Sequence, residues 1–194
     1  MTARIERKVV HFGEHDPRGT VGGVESFARN LQTIFEEVDF MTPGSNDWDR
    51  VRREGLPVIC DNHWVLKLPS DVHAIGFQHG VAAVKQKATK KLSHHVMAFR
   101  QWRASRRPRT LWVACAEWIS RTFAQRYGNP AAHVVYHPVD IARFDGRLDN
   151  AGEKLVLHDA RTEHKGRDLL PSIEAAYPEF RFETLSCKPE EVPD

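Results

Sequence analysis

Four short loops in this chain carry the residue types that bind or process a ligand. Gly13 to Gly23 is the richest, with Pro17, Gly19, Gly22 and Gly23; Asp61–Trp64, Gln78–Gly80 and Ala114–Glu117 follow. Gly22-Gly23 stands directly before a segment of helical apolar spacing. There, unpaired backbone N–H groups and the helix dipole favour an anion, and glycine lets the backbone approach it closely. The spacing matches neither the dinucleotide fingerprint nor the P-loop, and a plain strand-to-helix turn uses the same residues. His79, between an apolar run and Gly80, can hydrogen-bond a hydroxyl or a phosphate oxygen; the alternative is a structural histidine bonded to a backbone carbonyl. Arg161 and Lys165 flank a later loop ahead of Gly166. Two cations beside a helix start can clamp a diphosphate, or simply face solvent. His11/His15 and His133/His137 are each four apart, but on strands and loops that spacing does not put both rings on one face. No metal site is expected.

A second feature is a run of one sign. From Lys85 to Arg109 there are nine cations, among them Lys85, Lys90, Lys91, Arg100 and Arg103, and no Asp or Glu. Such a run is a solvated face or an attractor for an anionic surface or acceptor. Phe99 and Trp102 lie within it and either anchor at an interface or pack in the core. No nucleic-acid-binding module is recognisable.

The elements that must position these loops follow from hydrophobic periodicity. Strands are predicted over Lys8–Phe12, Glu37–Met41, Pro57–Asp61, His73–Phe77, Thr110–Cys115 and His133–Tyr136. Helices are predicted over Val24–Phe35, Asp47–Glu54, Val81–Arg106 and Glu117–Tyr127, the last stopped by Gly128-Asn129-Pro130. Strands alternating with helices imply an α/β fold, a Rossmann-like parallel sheet with helices on both faces. All four loops leave the carboxyl ends of strands, where open parallel sheets bind ligands. The tail repeats the pattern once, with strands Lys154–Asp159 and Phe180–Leu185 around a helix Gly166–Tyr177, which makes a partial second α/β unit.

Composition bounds the rest. The chain has 194 residues, 41% hydrophobic and 28% charged, with a net charge of +2. That is globular composition, which excludes wholesale disorder. Cys60, Cys115 and Cys187 show no metal-type spacing, and Cys60 and Cys115 sit in apolar runs as buried reduced thiols. No signal-peptide core follows Met1–Lys8, and no stretch approaches the roughly 20 apolar residues of a membrane span. A cytoplasmic protein is expected, with any membrane contact peripheral.

Taken in order, these segments resemble glycosyltransferase family 4, enzymes of the GT-B fold. Gly22-Gly23-Val24-Glu25 with Phe27 and Leu31 is similar to the family's first glycine loop and helix. Phe77-Gln78-His79-Gly80 resembles its central histidine loop. Val113–Glu117 resembles the segment that usually ends in Ser-Glu, with Ala116 in the serine's place. Val134–Asp140, with Phe144 beyond, resembles the passage into the second domain, with His137 where Asn is common. Asp159-Ala160-Arg161 and His164-Lys165-Gly166 resemble the Arg and Lys-Gly loop of the donor domain.

The resemblance implies an acceptor-side domain over 1–144, a linker over 145–153 and the truncated start of a donor-binding domain over 154–194. It implies a retaining hexosyltransferase moving a sugar from a nucleotide-diphosphate sugar to an acceptor hydroxyl, in polysaccharide, lipopolysaccharide or glycolipid synthesis, with no cofactor and no metal. Gly22 and Gly23 would approach the donor diphosphate or the acceptor, His79 the transferred sugar, and Arg161 and Lys165 the leaving diphosphate. Lys85, Lys90, Lys91, Arg100 and Arg103 would meet a lipid-linked or anionic acceptor. The paired glutamates of the family's donor site have no counterpart after Lys165. A partner chain or a second copy would then supply the rest of that site; otherwise the chain is a non-catalytic binding or assembly protein, or an inactive remnant, on the same fold.

Overall fold

The computed structural model describes residues 5–19, 23–89, 91–129, 131–138, 155–158 and 167–184. The chain divides into two compact units, Met1–Asp140 and Ile141–Asp194. In the first, strands β1 (Ile5–Phe12), β2 (Phe35–Met41), β3 (Val58–Asp61), β4 (Ala74–Gln78), β5 (Thr110–Ala114) and β6 (His133–Val134) form one parallel sheet. The strand order is β2-β1-β3-β4-β5-β6. Helices α1 (Gly23–Asn30), α2 (Trp48–Glu54), α3 (Ala82–Thr89), α4 (Leu92–Ala104) and α5 (Glu117–Tyr127) connect them. This is the expected Rossmann-like α/β architecture. The second unit holds β7 (Leu155–His158), α6 (Leu170–Ala176) and β8 (Arg181–Thr184), with β7 and β8 parallel.

Strand alternation sorts the core into two layers. Val10, Phe12, Val58, Cys60, Trp112 and Ala114 join Val51 of α2, Ala104 of α4 and Ile119, Phe123 and Tyr127 of α5 on one face. Val9, Ile59, Phe77 and Val113 pack on the other face against Phe27 and Leu31 of α1. The same alternation decides where polar residues point. His11 follows Val9 and Asp61 follows Ile59, so both belong to the α1 face. Gln78 belongs to the opposite face.

Two helices differ from expectation. Val24–Phe35 is not one helix: α1 ends at Asn30, a tight 3-10 turn covers Leu31–Thr33, and Phe35 opens β2 opposite Ile5. Aromatic Phe35 finds a strand partner, and tertiary pairing overrides the apolar spacing that carried the helix on. Val81–Arg106 is two helices, with Lys91 extended ahead of α4. A continuous helix would have stacked Lys87 above Lys91, four residues apart, and like charges at that spacing repel. Most of the larger apolar residues of this segment are not buried, Val81 apart. Leu92 is 79% and Phe99 56% exposed, and Val84, Val96 and Trp102 are exposed too. The buried seam of α4 runs through Ala98, Gln101 and Ala104, and its two alanines let the helix lie close to its neighbours. Glu117–Tyr127 forms as expected, and Gly128 ends it in the left-handed conformation (φ 71°) that glycine adopts freely.

Candidate functional site

In this strand order the chain leaves β1 toward β2 on one side and passes to β3 on the other. The gap between the carboxyl ends of β1 and β3 is therefore the switch point where open α/β sheets bind ligands. His11 and Asp61 stand at those two ends. A cleft of about 260 Å³ opens there, lined by His11, Asp61, His79, Met97 and, from α1, Val24 and Ala28.

Asp61 organises the floor. Its side chain is nearly buried, and each carboxylate oxygen meets one histidine. His79 Nε2 lies 2.8 Å from Oδ1, and His11 Nε2 lies 3.1 Å from Oδ2. The first contact is a hydrogen bond. The second is close enough for charge but not aligned, and neither ring nitrogen of buried His11 has a hydrogen-bond partner among the described residues. Burial by itself would push the Asp61 carboxyl up; the charge of His11 and the hydrogen bond and charge of His79 outweigh it and hold it below its ordinary value. Gly13 makes room for this pair. A Cβ there would stand 2.9 Å from Asp61 Oδ2 and 3.2 Å from the His11 ring.

His79 is gripped at three points. Besides Asp61, its Nδ1 lies 2.9 Å from His137 Nε2. Its backbone N–H donates to the side-chain oxygen of Asn62 at 3.0 Å. Asn62 has φ 43°, a left-handed conformation that Asn tolerates better than most residues. That kink turns its amide onto His79, and local strain of this kind concentrates at functional sites. The rings of Phe27 and Phe77 pack against His79 at 4.8 and 4.9 Å between centroids. His137 is held in turn by α1, because Asn30 Nδ2 donates to the Pro138 carbonyl at 2.8 Å. Burial, and then the neighbouring His79, push the His137 imidazole below its ordinary value, with Asp61 opposing.

Among the expected site residues, His79 lines the cleft, and Gly23 begins α1, where a Cβ would meet nothing within 4 Å among the described residues. Gly22, Lys90, Arg161 and Lys165 lie outside the described residues. Lys85 lies in α3 and Lys91 directly precedes α4, where it is exposed. Arg100 and Arg103 border another groove, of about 740 Å³, between α4 and the turn Asn62–Lys67. Trp64, Leu66, Val96 and Phe99 also line it. His63 and Trp64 line both hollows. Burial, then Arg100, lower the His63 imidazole, with Glu14 opposing.

Asp61 was not singled out from the sequence by itself; His11 appeared only in a local pair, and His137 in a local pair and as a departure from the family's common Asn, neither of which pointed to His79. His11 and His137 meet through Asp61 and His79 instead. The available signal was a polar residue at the carboxyl end of a buried apolar strand, as in Val9-Val10-His11 and Val58-Ile59-Cys60-Asp61. Among the described residues no group of three or more His, Cys, Asp or Glu side chains converges as metal ligands. Cys60 is a buried free thiol and Cys115 a half-buried one. No described helix is long and apolar enough to cross a membrane. Comparison of the chain with protein families, with curated proteins and with solved structures finds no match.

Proposed function

We propose that this chain carries the acceptor-side domain of a retaining GT-B sugar transferase, in which an acceptor hydroxyl and the transferred sugar meet in the cleft at the β1/β3 switch point. The observation that carries it is the cleft itself: a glycine-led helix, a histidine after β4 and a buried carboxylate converge on one hollow of polyol size. In this reading the nucleotide-diphosphate sugar enters over Gly22 and Gly23, and Arg161 and Lys165 neutralise the departing diphosphate. The groove beside α4 receives the apolar or anionic part of a lipid-linked acceptor or membrane. Its lining pairs Phe99 and Val96 with Lys67, Arg100 and Arg103, the combination that binds anionic interfaces.

The test is transfer of radiolabelled sugar from a panel of nucleotide-diphosphate sugars into membrane and glycan fractions. The expected result is incorporation from one donor, lost in His79→Ala and Lys165→Ala variants that remain folded. Incorporation that survives both substitutions would contradict the residue assignments, and none from any donor would contradict the activity.

One observation favours a second reading, a non-catalytic binding protein on this fold. Both ring nitrogens of His79 are already engaged, by Asp61 and His137. Saccharide binding without turnover would support it.

A further inference from the structure

The three groups Asp61, His79 and His137 stand in line, joined by contacts of 2.8 and 2.9 Å. They come from three places in the chain: the end of β3, the residue after β4 and the segment after β6. Asp61 is 3% exposed. His137 is half-buried, and its Nδ1 has no hydrogen-bond partner among the described residues. One end of the row is thus a buried charge and the other a half-buried imidazole.

The chemistry of imidazole fixes what such a row can do. A carboxylate only accepts hydrogen bonds, so the His79 hydrogen facing Asp61 sits on Nε2. When His79 is neutral, its Nδ1 must accept, and His137 must therefore carry its own hydrogen on Nε2 and its lone pair on Nδ1. We propose that Asp61, His79 and His137 form a proton relay in which His137 Nδ1 takes a proton from a hydroxyl or water outside the fold. As the new N–H bond forms at His137 Nδ1, the His137 Nε2–H bond breaks and that proton passes to His79 Nδ1. His137 ends neutral with its hydrogen on Nδ1. His79 ends as an imidazolium beside the Asp61 carboxylate. One proton enters, one N–H bond forms and one moves, and the positive charge rests where its counter-charge is buried. His79 and Asp61 are positioning residues in this scheme, and His137 is the group that meets the hydroxyl. The relay goes beyond sugar transfer: it serves any reaction that deprotonates a hydroxyl at His137.

Other titratable groups face this row. His11 from β1 shares Asp61; Glu14 and His15 from the loop after β1, Glu25 from α1 and His63 after β3 line the cleft. Protonation of His11 would compete with His79 for Asp61, so the two must be resolved separately.

The test uses the whole protein labelled with ¹⁵N in its histidines, which reports tautomer and charge ring by ring. At about pH 8.5, where imidazoles are neutral, both His79 and His137 should carry their hydrogen on Nε2. A His137 with its hydrogen on Nδ1 at that pH would overturn the relay. On acidification the first proton should appear on His79, not on His137; charge appearing first on His137 would also overturn it. The transmitted effect comes from Asp61→Asn. His137 does not touch Asp61, yet the midpoint of the shared protonation should fall by about one pH unit or more at both rings. The acylation rate of His137 by diethyl pyrocarbonate, read by mass spectrometry, should fall severalfold. Unchanged midpoint and rate at His137 in a folded Asp61→Asn protein would reduce the row to a structural contact and refute the proposal. Should that variant not fold, His137→Gln probes the same coupling from the other end: His79 should lose its Nδ1 partner and protonate with an altered midpoint, and an unaltered one contradicts the relay.

Discussion

Gln78 and His79 are adjacent in sequence and serve opposite faces of the sheet. On the α4 and α5 face, Gln78 Oε1 accepts from Gln101 Nε2 at 3.0 Å. Gln101 Nε2 also donates to the Gly80 carbonyl, and Gln101 Oε1 accepts from the Ala82 N–H and the Tyr127 hydroxyl. Every one of these groups is buried or nearly so, and each has a partner. On the α1 face, His79 belongs to a cluster that contains a buried charge, an orphaned histidine and a left-handed asparagine. The first network is finished and fixes where the His79 loop sits. The second has unmet capacity and opens on a cleft. Trp112 Nε1 on the glutamine face also lacks a partner among the described residues, so the contrast lies between the two clusters: a buried charge with unmet hydrogen-bonding capacity beside a cleft marks the Asp61 and His79 cluster as the working one.

The largest way to break this comparison is Gln101→Leu. It strips partners from Gln78, Gly80, Ala82 and Tyr127 at once, and unsatisfied buried groups cost about 1–3 kcal/mol each before relaxation. Urea denaturation should show a loss of about 3 kcal/mol or more; a loss under about 1 kcal/mol would deny the network its structural role.

Next is Gly13→Ala. Its Cβ would press on Asp61 Oδ2 and the His11 ring, and such overpacking costs about 1–3 kcal/mol. The His79 and His137 ring signals should shift along with stability; stability loss with unmoved rings would uncouple Gly13 from the site.

A smaller effect separates the faces by pH. The folded His137 and His63 bind protons less readily than in the unfolded chain, so the unfolded state binds more protons just below about pH 6.5. Stability should decline as pH falls through that window. It should decline again below about pH 4, where Asp61, whose folded value is lowered, must be protonated. His137→Gln should flatten the first decline, Asp61→Asn the second, and the glutamine network should contribute to neither.

The smallest expected effect is His11→Phe. Both His11 nitrogens lack hydrogen-bond partners among the described residues, and its ring already lies edge-on to Phe27 and Phe40. Replacing an unsatisfied polar group by an apolar one of similar shape is near neutral or stabilising. Thermal unfolding at neutral pH should stay within about 1 kcal/mol of the parent; a larger loss would mean that the His11–Asp61 charge contact outweighs the missing hydrogen bonds.

Much of the fold was legible because it rests on local rules. Val9-Val10, Val58-Ile59 and Leu111–Val113 read as buried strands, and Asp47 capping α2 and Gly128 ending α5 obey short-range chemistry. His79 was legible because it sits between a strand and a glycine. Asp61 and His137 were not, since their partnership with His79 spans 18 and 58 residues and depends on strand order. The buried face of α4 was not legible because its seam is alanine and glutamine, while its larger apolar residues, Leu92, Phe99 and Trp102, point outward. Trp102 instead carries the Arg106 guanidinium 4.3 Å above its ring, a favourable contact that needs no burial.

The central claim is that the α1 face, around Asp61 and His79, is where this protein meets its ligand. The direct measurement is titration of saccharides and nucleotide-diphosphate sugars into the ¹⁵N-histidine-labelled protein with the glutamine side-chain amides observed in parallel. The account predicts that a binding sugar shifts His79 and His11, together with Gln101, which also lines the cleft, and leaves the Gln78 amide in place. A sugar that binds and moves the Gln78 amide but neither histidine would contradict it.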